Sequence, residues 1–145
     1  DAQSFSVEKV ISTDTLQLKT GEKVRLIGLK ALDKPPREKK ERDRYGFIIQ
    51  KQSPLQTPEE QAMAFAASLL EGKDVRLEFD SQKRGPYQIL LAYVYLADTG
   101  LLANEEILRQ GWAALSLTPP NLKHSERLRA AYQEARQEKR GIHSE

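Results

Sequence analysis

A carboxylate and a guanidinium stand out in the first hairpin that the sequence predicts. Apolar residues alternate through residues 10–18 and again through 24–29, with a Gly-containing turn between the two runs, and such alternation is typical of paired β-strands. Asp14 and Arg25 are the charged side chains within this apolar pattern. On neighbouring strands they could bind a cation and an anion side by side, which is the minimum requirement for handling a phosphodiester. The hairpin alone favours a plainer alternative, a half-exposed surface ion pair.

The composition favours one folded domain and excludes cysteine chemistry. At 145 residues with 39% hydrophobic content, the chain can bury a core. Its 23 basic residues nearly balance 21 acidic ones, so the net charge of +2 says little about partners. The absence of cysteine excludes disulfides, thiolate metal sites and a cysteine nucleophile.

No apolar run approaches the roughly 20 residues that a bilayer requires, so we expect no membrane span. We also expect a monomer. The chain begins at Asp1 without Met, which is compatible with a removed leader or a trimmed sequence. The compartment therefore stays open, with secreted and periplasmic locations among the alternatives.

Five strands are predicted from the alternation of apolar side chains. A first strand is expected over residues 5–11, and the hairpin supplies the second and third. Residues 75–79 alternate as a fourth strand. Residues 87–96 are apolar on both faces, as in a central and well-buried strand.

Three helices are predicted, the first of them with a clear start. Thr57, Pro58 and Glu60 supply a capping side chain, a proline at the first helical position and a glutamate three residues after the cap. Further helices are expected over about 104–110 and 122–139. With the strands, they predict one α+β, mainly β domain, a closed five-stranded barrel of the oligonucleotide/oligosaccharide-binding (OB) type. In the last helix, the side chains expected to face the core are Leu122, Leu128, Ala131, Tyr132 and Ala135.

A charged segment at about 34–56 separates the third strand from the first helix. Residues 34–44 have no apolar side chain beyond two prolines, so they bury little that would offset the entropy cost of ordering them. We interpret the segment as a loop insertion that is solvated, because acidic residues interrupt its basic ones. The alternative is a basic flap that contacts nucleic-acid phosphates through Arg37, Lys39, Lys40, Arg42 and Arg44.

Several motifs, in the same order along the chain, resemble the staphylococcal nuclease (thermonuclease-like) family. They are VISTDT at 10–15, VRLIGL at 24–29, PEEQA at 58–62, LAYVY at 91–95, NE with LRQG at 104–111, and GIHSE at 141–145. The resemblance runs from about Val7 to Glu145. It implies a five-stranded barrel with three helices and, for active members, one Ca²⁺ that takes part in cleaving DNA or RNA phosphodiesters.

The resemblance places the family's metal site where this chain has lost carboxylates. Asp14 matches one metal ligand of the family's Asp-Gly-Asp-Thr segment, and Ser12 replaces the outer one. Lys30 stands where the family has a second metal carboxylate, and only the shorter Asp33 matches the glutamate that orients or deprotonates the attacking water. Ca²⁺ prefers six or more oxygens, several of them anionic. The resemblance therefore implies a weak or lost metal site and no cofactor, or Ca²⁺ if the site still functions.

Of the family's two arginines, only one is retained in place. Arg25 matches the arginine that binds phosphate, whereas Ile89 occupies the position of the second and cannot donate a hydrogen bond. Arg84, five residues earlier, is the nearby substitute. Losing an arginine that stabilises the transition state typically costs several powers of ten in phosphoryl transfer. The resemblance thus leaves Arg25 and Asp33 as vestigial catalytic residues.

Three hypotheses of function follow from these residues. The first is a catalytically silent domain that binds nucleic acid or a protein partner, with Arg25, the basic loop residues and Tyr87 as nucleic-acid contacts. The alternative is an active metal-dependent nuclease that uses Asp14, Arg25 and Asp33 with an altered metal requirement. The third is an interaction module without a nucleic-acid role. In the inactive site we expect the Lys30 ammonium to pair with Asp14, the alternative being that it points into solvent.

Overall fold

A computed structural model describes residues 4–31 and 57–143 of the chain. Its five barrel strands are β1 (Ser4–Ser12), β2 (Thr15–Leu18), β3 (Lys23–Leu26), β5 (Asp74–Glu78) and β6 (Leu90–Leu96), and the strands β4 (Gly28–Lys30) and β7 (Ala114–Ser116) form a separate pair. The helices are α1 (Pro58–Leu70), α2 (Ala103–Arg109) and α3 (Ser125–Gln137).

The barrel closes in the order β1-β2-β3-β6-β5. Neighbouring strands are antiparallel except β3 and β6, which run parallel with Arg25 opposite Leu91. Alternate side chains of each strand enter one core, to which all three helices contribute buried residues. The predicted five-stranded OB barrel with three helices is confirmed.

The third predicted strand is in fact two short strands. The chain leaves the barrel after Leu26, passes through Gly28 at φ +89°, and pairs as β4 with β7. A Cβ atom at Gly28 would overlap the Leu128 side chain of α3, so glycine both permits the turn and lets the helix approach. Alternation alone could not separate β3 from β4, because both carry apolar residues at the expected spacing.

The last barrel strand begins three residues later than the sequence predicts. Tyr87 and Gln88 have positive φ angles of 61° and 62° and lie in a short 3₁₀ turn, Pro86–Gln88, ahead of β6. The apolar character of the segment indicated a strand, but its first residues belong to a tight turn. As predicted, β6 is central and well buried between β3 and β5.

The helices begin and end largely where their boundary residues indicate. Thr57 caps α1, its hydroxyl accepting a hydrogen bond from the amide of Glu60 at 3.2 Å. In α3, Leu128, Ala131 and Ala135 are buried, as expected. Leu122 precedes the helix and is 41% exposed, so its predicted core position is wrong.

Among the described residues, every helix is too short or too polar to cross a membrane.

Candidate functional site

Asp14 lies in the two-residue turn that joins β1 to β2, between the paired residues Ser12 and Thr15. Its carboxylate is buried, with only 8% of the side chain exposed. Oδ1 accepts hydrogen bonds from the hydroxyls of Ser12 at 2.6 Å and Thr15 at 3.0 Å, and Oδ2 accepts one from the amide of Ala31 at 3.2 Å. One carboxylate thus connects the first hairpin to the end of β4.

Arg25 places a guanidinium beside this carboxylate. It stands on β3, opposite Thr15 of β2, and its Nη2 lies 3.6 Å from Oδ2 of Asp14. The arginine side chain is 50% exposed, so its remaining donors face solvent. The predicted juxtaposition is confirmed in its plainer form, a half-exposed ion pair.

Lys30 does not take the position expected of it. Lys30 is the last residue of β4, where it is exposed and pairs with Ala114 of β7. Among the described residues, Asp14 pairs with Arg25 and not with Lys30. Leu29 is buried and Lys30 is exposed, as expected when successive side chains of a strand point to opposite faces. The predicted pair of Lys30 with Asp14 is therefore wrong, and Arg25 is the cation beside the carboxylate.

Among the described residues, no free guanidinium lies at the position of the second family arginine. Ile89 is half-buried at the start of β6. Arg84 donates a hydrogen bond to the carbonyl of Gln88 at 2.8 Å and lies 3.5 Å from Glu22 Oε2. The hydrogen bond spans the turn before β6, and the contact with Glu22 links this turn to the one between β2 and β3. A catalytic role for Arg84 stays a prediction. Asp33 and the predicted basic contacts Arg37, Lys39, Lys40, Arg42 and Arg44 lie outside the described residues.

A cleft of about 230 Å³ opens beside Arg25. One wall is the chain from β3 into β4, and the other combines the turn before β6 with the segment that follows β7. Gln82 and Asn121 join the two parts of this second wall, because the Asn121 side chain accepts from the Gln82 amide at 2.7 Å and donates to its carbonyl at 2.9 Å. The residues lining the cleft beyond these are Leu26, Ile27, Gly28, Leu29, Gly85, Pro86, Leu91, Ser116 and Thr118.

A polar cluster that the sequence analysis did not predict anchors the second wall to the barrel. Glu78 Oε1 lies 2.7 Å from His124 Nε2, and Glu78 Oε2 lies 2.6 Å from Lys123 Nζ. The Tyr95 hydroxyl donates to Glu78 Oε1 at 3.0 Å. Burial would raise the pKa of Glu78, but hydrogen bonds from Lys123, His124 and Tyr95 outweigh burial and lower the pKa to about 2.

A second carboxylate extends this cluster. Asp80 Oδ2 accepts hydrogen bonds from the Tyr93 hydroxyl at 2.8 Å and the Lys123 amide at 2.9 Å. Burial together with the nearby carboxylates raises the pKa of Tyr93 to about 12, so the hydroxyl stays a donor. The sequence did carry a signal, since acidic and tyrosine residues at i and i+2 on adjacent strands can face each other across a sheet.

The described part of the site has the wrong donor chemistry for Ca²⁺. Asp14 is its only carboxylate, and both of its oxygens already accept hydrogen bonds. Among the described residues, the charged group that pairs with it is a guanidinium rather than a second carboxylate. Over residues 4–31 and 57–143, no group of three or more His, Cys, Asp or Glu side chains could hold a metal ion. These residues do not fit a cation that prefers several anionic oxygens.

The structure thus combines a closed five-stranded barrel of the OB type with an exposed arginine beside a cleft. The family of staphylococcal nuclease homologues matches residues 23–145. The thermonuclease of Staphylococcus hyicus is 28% identical over 142 residues, covering 98% of this chain and 76% of its own length. That of Staphylococcus intermedius is 31% identical over 143 residues, covering 97% and 76%. The chain belongs to the staphylococcal nuclease family, as the sequence motifs predicted.

Proposed function

We propose that this domain binds single-stranded nucleic acid at the cleft beside Arg25 without the Ca²⁺-dependent hydrolysis that the family resemblance implies for active members. The observation that carries the proposal is the pairing of Asp14 with Arg25. The carboxylate that would ligate a metal ion instead faces a cationic side chain of the same chain. No second carboxylate stands at position 30, and no arginine at position 89.

The binding half of the proposal depends on exposed donors and an exposed ring. Arg25 presents about half of its side chain to solvent at the mouth of the cleft, where its donors could hold a phosphate. Tyr87 is 95% exposed in the turn that also supplies Gly85 and Pro86 to the cleft. Phosphate contacts and base stacking on aromatic rings are the usual means of binding single strands.

A hydrolysis assay separates this proposal from an active nuclease. We expect single-stranded DNA and RNA to remain intact with Ca²⁺, Mg²⁺ or Mn²⁺. Cleavage with any of these ions, lost in Asp14→Asn and Arg25→Gln, would instead support the alternative nuclease that uses Asp14, Arg25 and Asp33.

A binding titration tests the nucleic-acid partner. For a labelled oligothymidylate, the affinity should fall as salt rises, because phosphate contacts release counterions. Arg25→Gln should weaken binding about tenfold and reduce the slope of log affinity against log salt by about 0.7, the value of one single-strand phosphate contact. Lys139→Gln, an exposed lysine beyond α3, is the control for the loss of one charge. Absence of salt-dependent binding would favour a protein partner.

A further inference from the structure

The Asp14 carboxylate is fixed by hydrogen bonds that do not involve Arg25. Three hydrogen bonds, from Ser12, Thr15 and the amide of Ala31, fix both oxygens. The peptide carbonyl of Asp14 accepts a further bond from the Leu26 amide at 2.8 Å, which ties the turn to β3. The direction of the carboxylate is therefore set independently of Arg25.

The contact with Arg25 is of a different kind. At 3.6 Å between Nη2 and Oδ2 it is an electrostatic contact beyond hydrogen-bond length. The described residues give Arg25 no hydrogen-bonded side-chain partner, and half of its side chain is exposed. The guanidinium is thus oriented by a fixed negative charge while its donors stay available at the mouth of the cleft.

We infer that Asp14 has exchanged a metal-ligand role for that of a built-in counter-ion, a positioning residue that orients Arg25 and competes with anionic ligands for it. The inference rests on the proposed function for its ligand, a nucleic-acid phosphate. It follows from the misfit between this donor set and Ca²⁺. A carboxylate next to the phosphate-binding guanidinium repels the phosphate, so this chain limits its own affinity for nucleic acid.

This role predicts opposite effects of one substitution on two measurements. Asp14→Asn should lower the melting temperature, since the amide cannot accept all three hydrogen bonds of the carboxylate. The same variant should bind a fluorescein-labelled oligothymidylate about fivefold more tightly at low salt, because a repulsive charge a few ångströms from the phosphate is removed. The gain should shrink as salt rises. A purely structural role would lower stability without tightening binding.

Two variants provide controls for this experiment. Asp14→Glu keeps the charge in altered geometry, so it should melt lower without the tighter binding expected of Asp14→Asn. Asp98→Asn changes the net charge equally in the exposed turn beyond β6, at the opposite end of this strand from Leu91 of the cleft, and should change neither measurement. Calcium at about 10 mM, well above the range of weak protein sites, should leave the melting temperature and the affinity of the wild type unchanged.

Each result bears on the inference. Unchanged or weaker binding by Asp14→Asn, relative to Asp98→Asn, would overturn it while leaving the proposed function intact. A rise in wild-type melting temperature with calcium would overturn it even if Asp14→Asn failed to fold. Absence of binding by the wild type and every variant would overturn both proposals.

Discussion

Tyr87, which we propose as a nucleic-acid contact, has a strained backbone and an exposed side chain. Its φ of 61° lies in the left-handed region, which costs a non-glycine residue about 1 kcal/mol. The residue is 95% exposed, so its side chain buries almost nothing in return. Strain of this kind is often retained where a side chain contacts a ligand. The geometry suits a ring held out for stacking.

We therefore predict that Tyr87→Gly raises the stability of the domain by about 1 kcal/mol and weakens single-strand binding by about 1–3 kcal/mol. Gln88→Gly is the matched control, because its φ of 62° is equally strained. It should gain similar stability without loss of affinity. Urea denaturation and fluorescence anisotropy with a labelled oligonucleotide measure the two effects. Equal affinity for both variants would exclude Tyr87 from the interface.

At this scale the sequence predicted the site only in part. Asp14 and Arg25 could be found because charged residues are unusual within an alternating apolar pattern. Their ion pair was one of the predicted alternatives, but the outward position of Lys30 could not be predicted, because it depends on the turn at Gly28 that takes the chain out of the barrel. The Glu78 and Asp80 cluster depends on contacts with residues more than 40 positions away along the chain.

Arg25 is positioned by the pairing of β3 with β6. The Asn104 side chain of α2 adds hydrogen bonds to the backbone where this pairing ends. Asn104 is fully buried. Its side-chain Nδ2 donates to the carbonyls of Ile27 at 2.8 Å and Ala92 at 3.2 Å, and its side-chain Oδ1 accepts from the backbone amide of Val94 at 2.9 Å. One side chain thus satisfies three backbone groups where the chain leaves the barrel.

Asn104→Leu should destabilise the domain by about 2–4 kcal/mol, because these buried backbone groups would lose their partner. Gln110→Ala, a partly exposed position just after the same helix, should change stability by less than about 0.5 kcal/mol. Chemical denaturation compares the variants. A loss of under about 1 kcal/mol for Asn104→Leu would mean that water replaces the amide.

The Glu78 cluster makes the wall of the cleft sensitive to acid. Because the folded state lowers the pKa of Glu78 from 4.5 to about 2, the charged carboxylate stabilises the fold above pH 4.5, and this contribution is lost as the pH falls towards 2. Allowing for solvent screening of a side chain that is 31% exposed, the contribution is about 1 kcal/mol. Glu78→Gln should thus lower stability at pH 7 by about that amount.

The difference between wild type and Glu78→Gln should narrow between pH 4.5 and 2. Denaturation curves recorded at intervals across this range measure it. Glu126→Gln, an exposed acidic residue in the first turn of α3, is the control and should run parallel to the wild type. A constant difference between wild type and Glu78→Gln would contradict the proposed charge contribution.

The helices and the longer strands were more predictable from the sequence than the short strand pairs and turns that connect them. Thr57 and Pro58 fix the start of α1 by local chemistry, which a sequence displays directly. The β4–β7 pair joins residues about 86 positions apart, and three-residue strands leave too few alternations to detect. The left-handed turn at Tyr87 and Gln88 carries none of the glycine or asparagine that usually marks such a conformation.

In the whole molecule, α2, α3 and the turn Gly141–His143 are held against one another by backbone contacts and ion pairs as well as by the core. The end of α2 and the turn Gly141–His143 meet at two glycines, Gly111 and Gly141. The Gly111 carbonyl accepts from the Ile142 amide at 2.8 Å. A salt-bridge network adds to this contact, with Glu105 pairing with Arg109 at 2.7 Å and with Arg127 of α3. These contacts place α3 over Gly28 and thereby support the wall of the cleft.

Gly111→Ala tests this arrangement at the scale of the whole fold. At φ +81° an alanine is strained, and its Cβ would overlap the carbonyl oxygen of Arg140, so we expect a loss of about 3 kcal/mol or more. Gly100→Ala shares a positive φ of +75° but meets no atom within 4 Å, so it should lose only about 1 kcal/mol. Thermal and urea denaturation would give both values. If the packing of α3 supports the cleft, Gly111→Ala should also weaken oligonucleotide binding at temperatures where it remains folded, whereas Gly100→Ala should not. Equal losses of stability would show that backbone strain alone, rather than close approach of the two segments, sets the cost at Gly111.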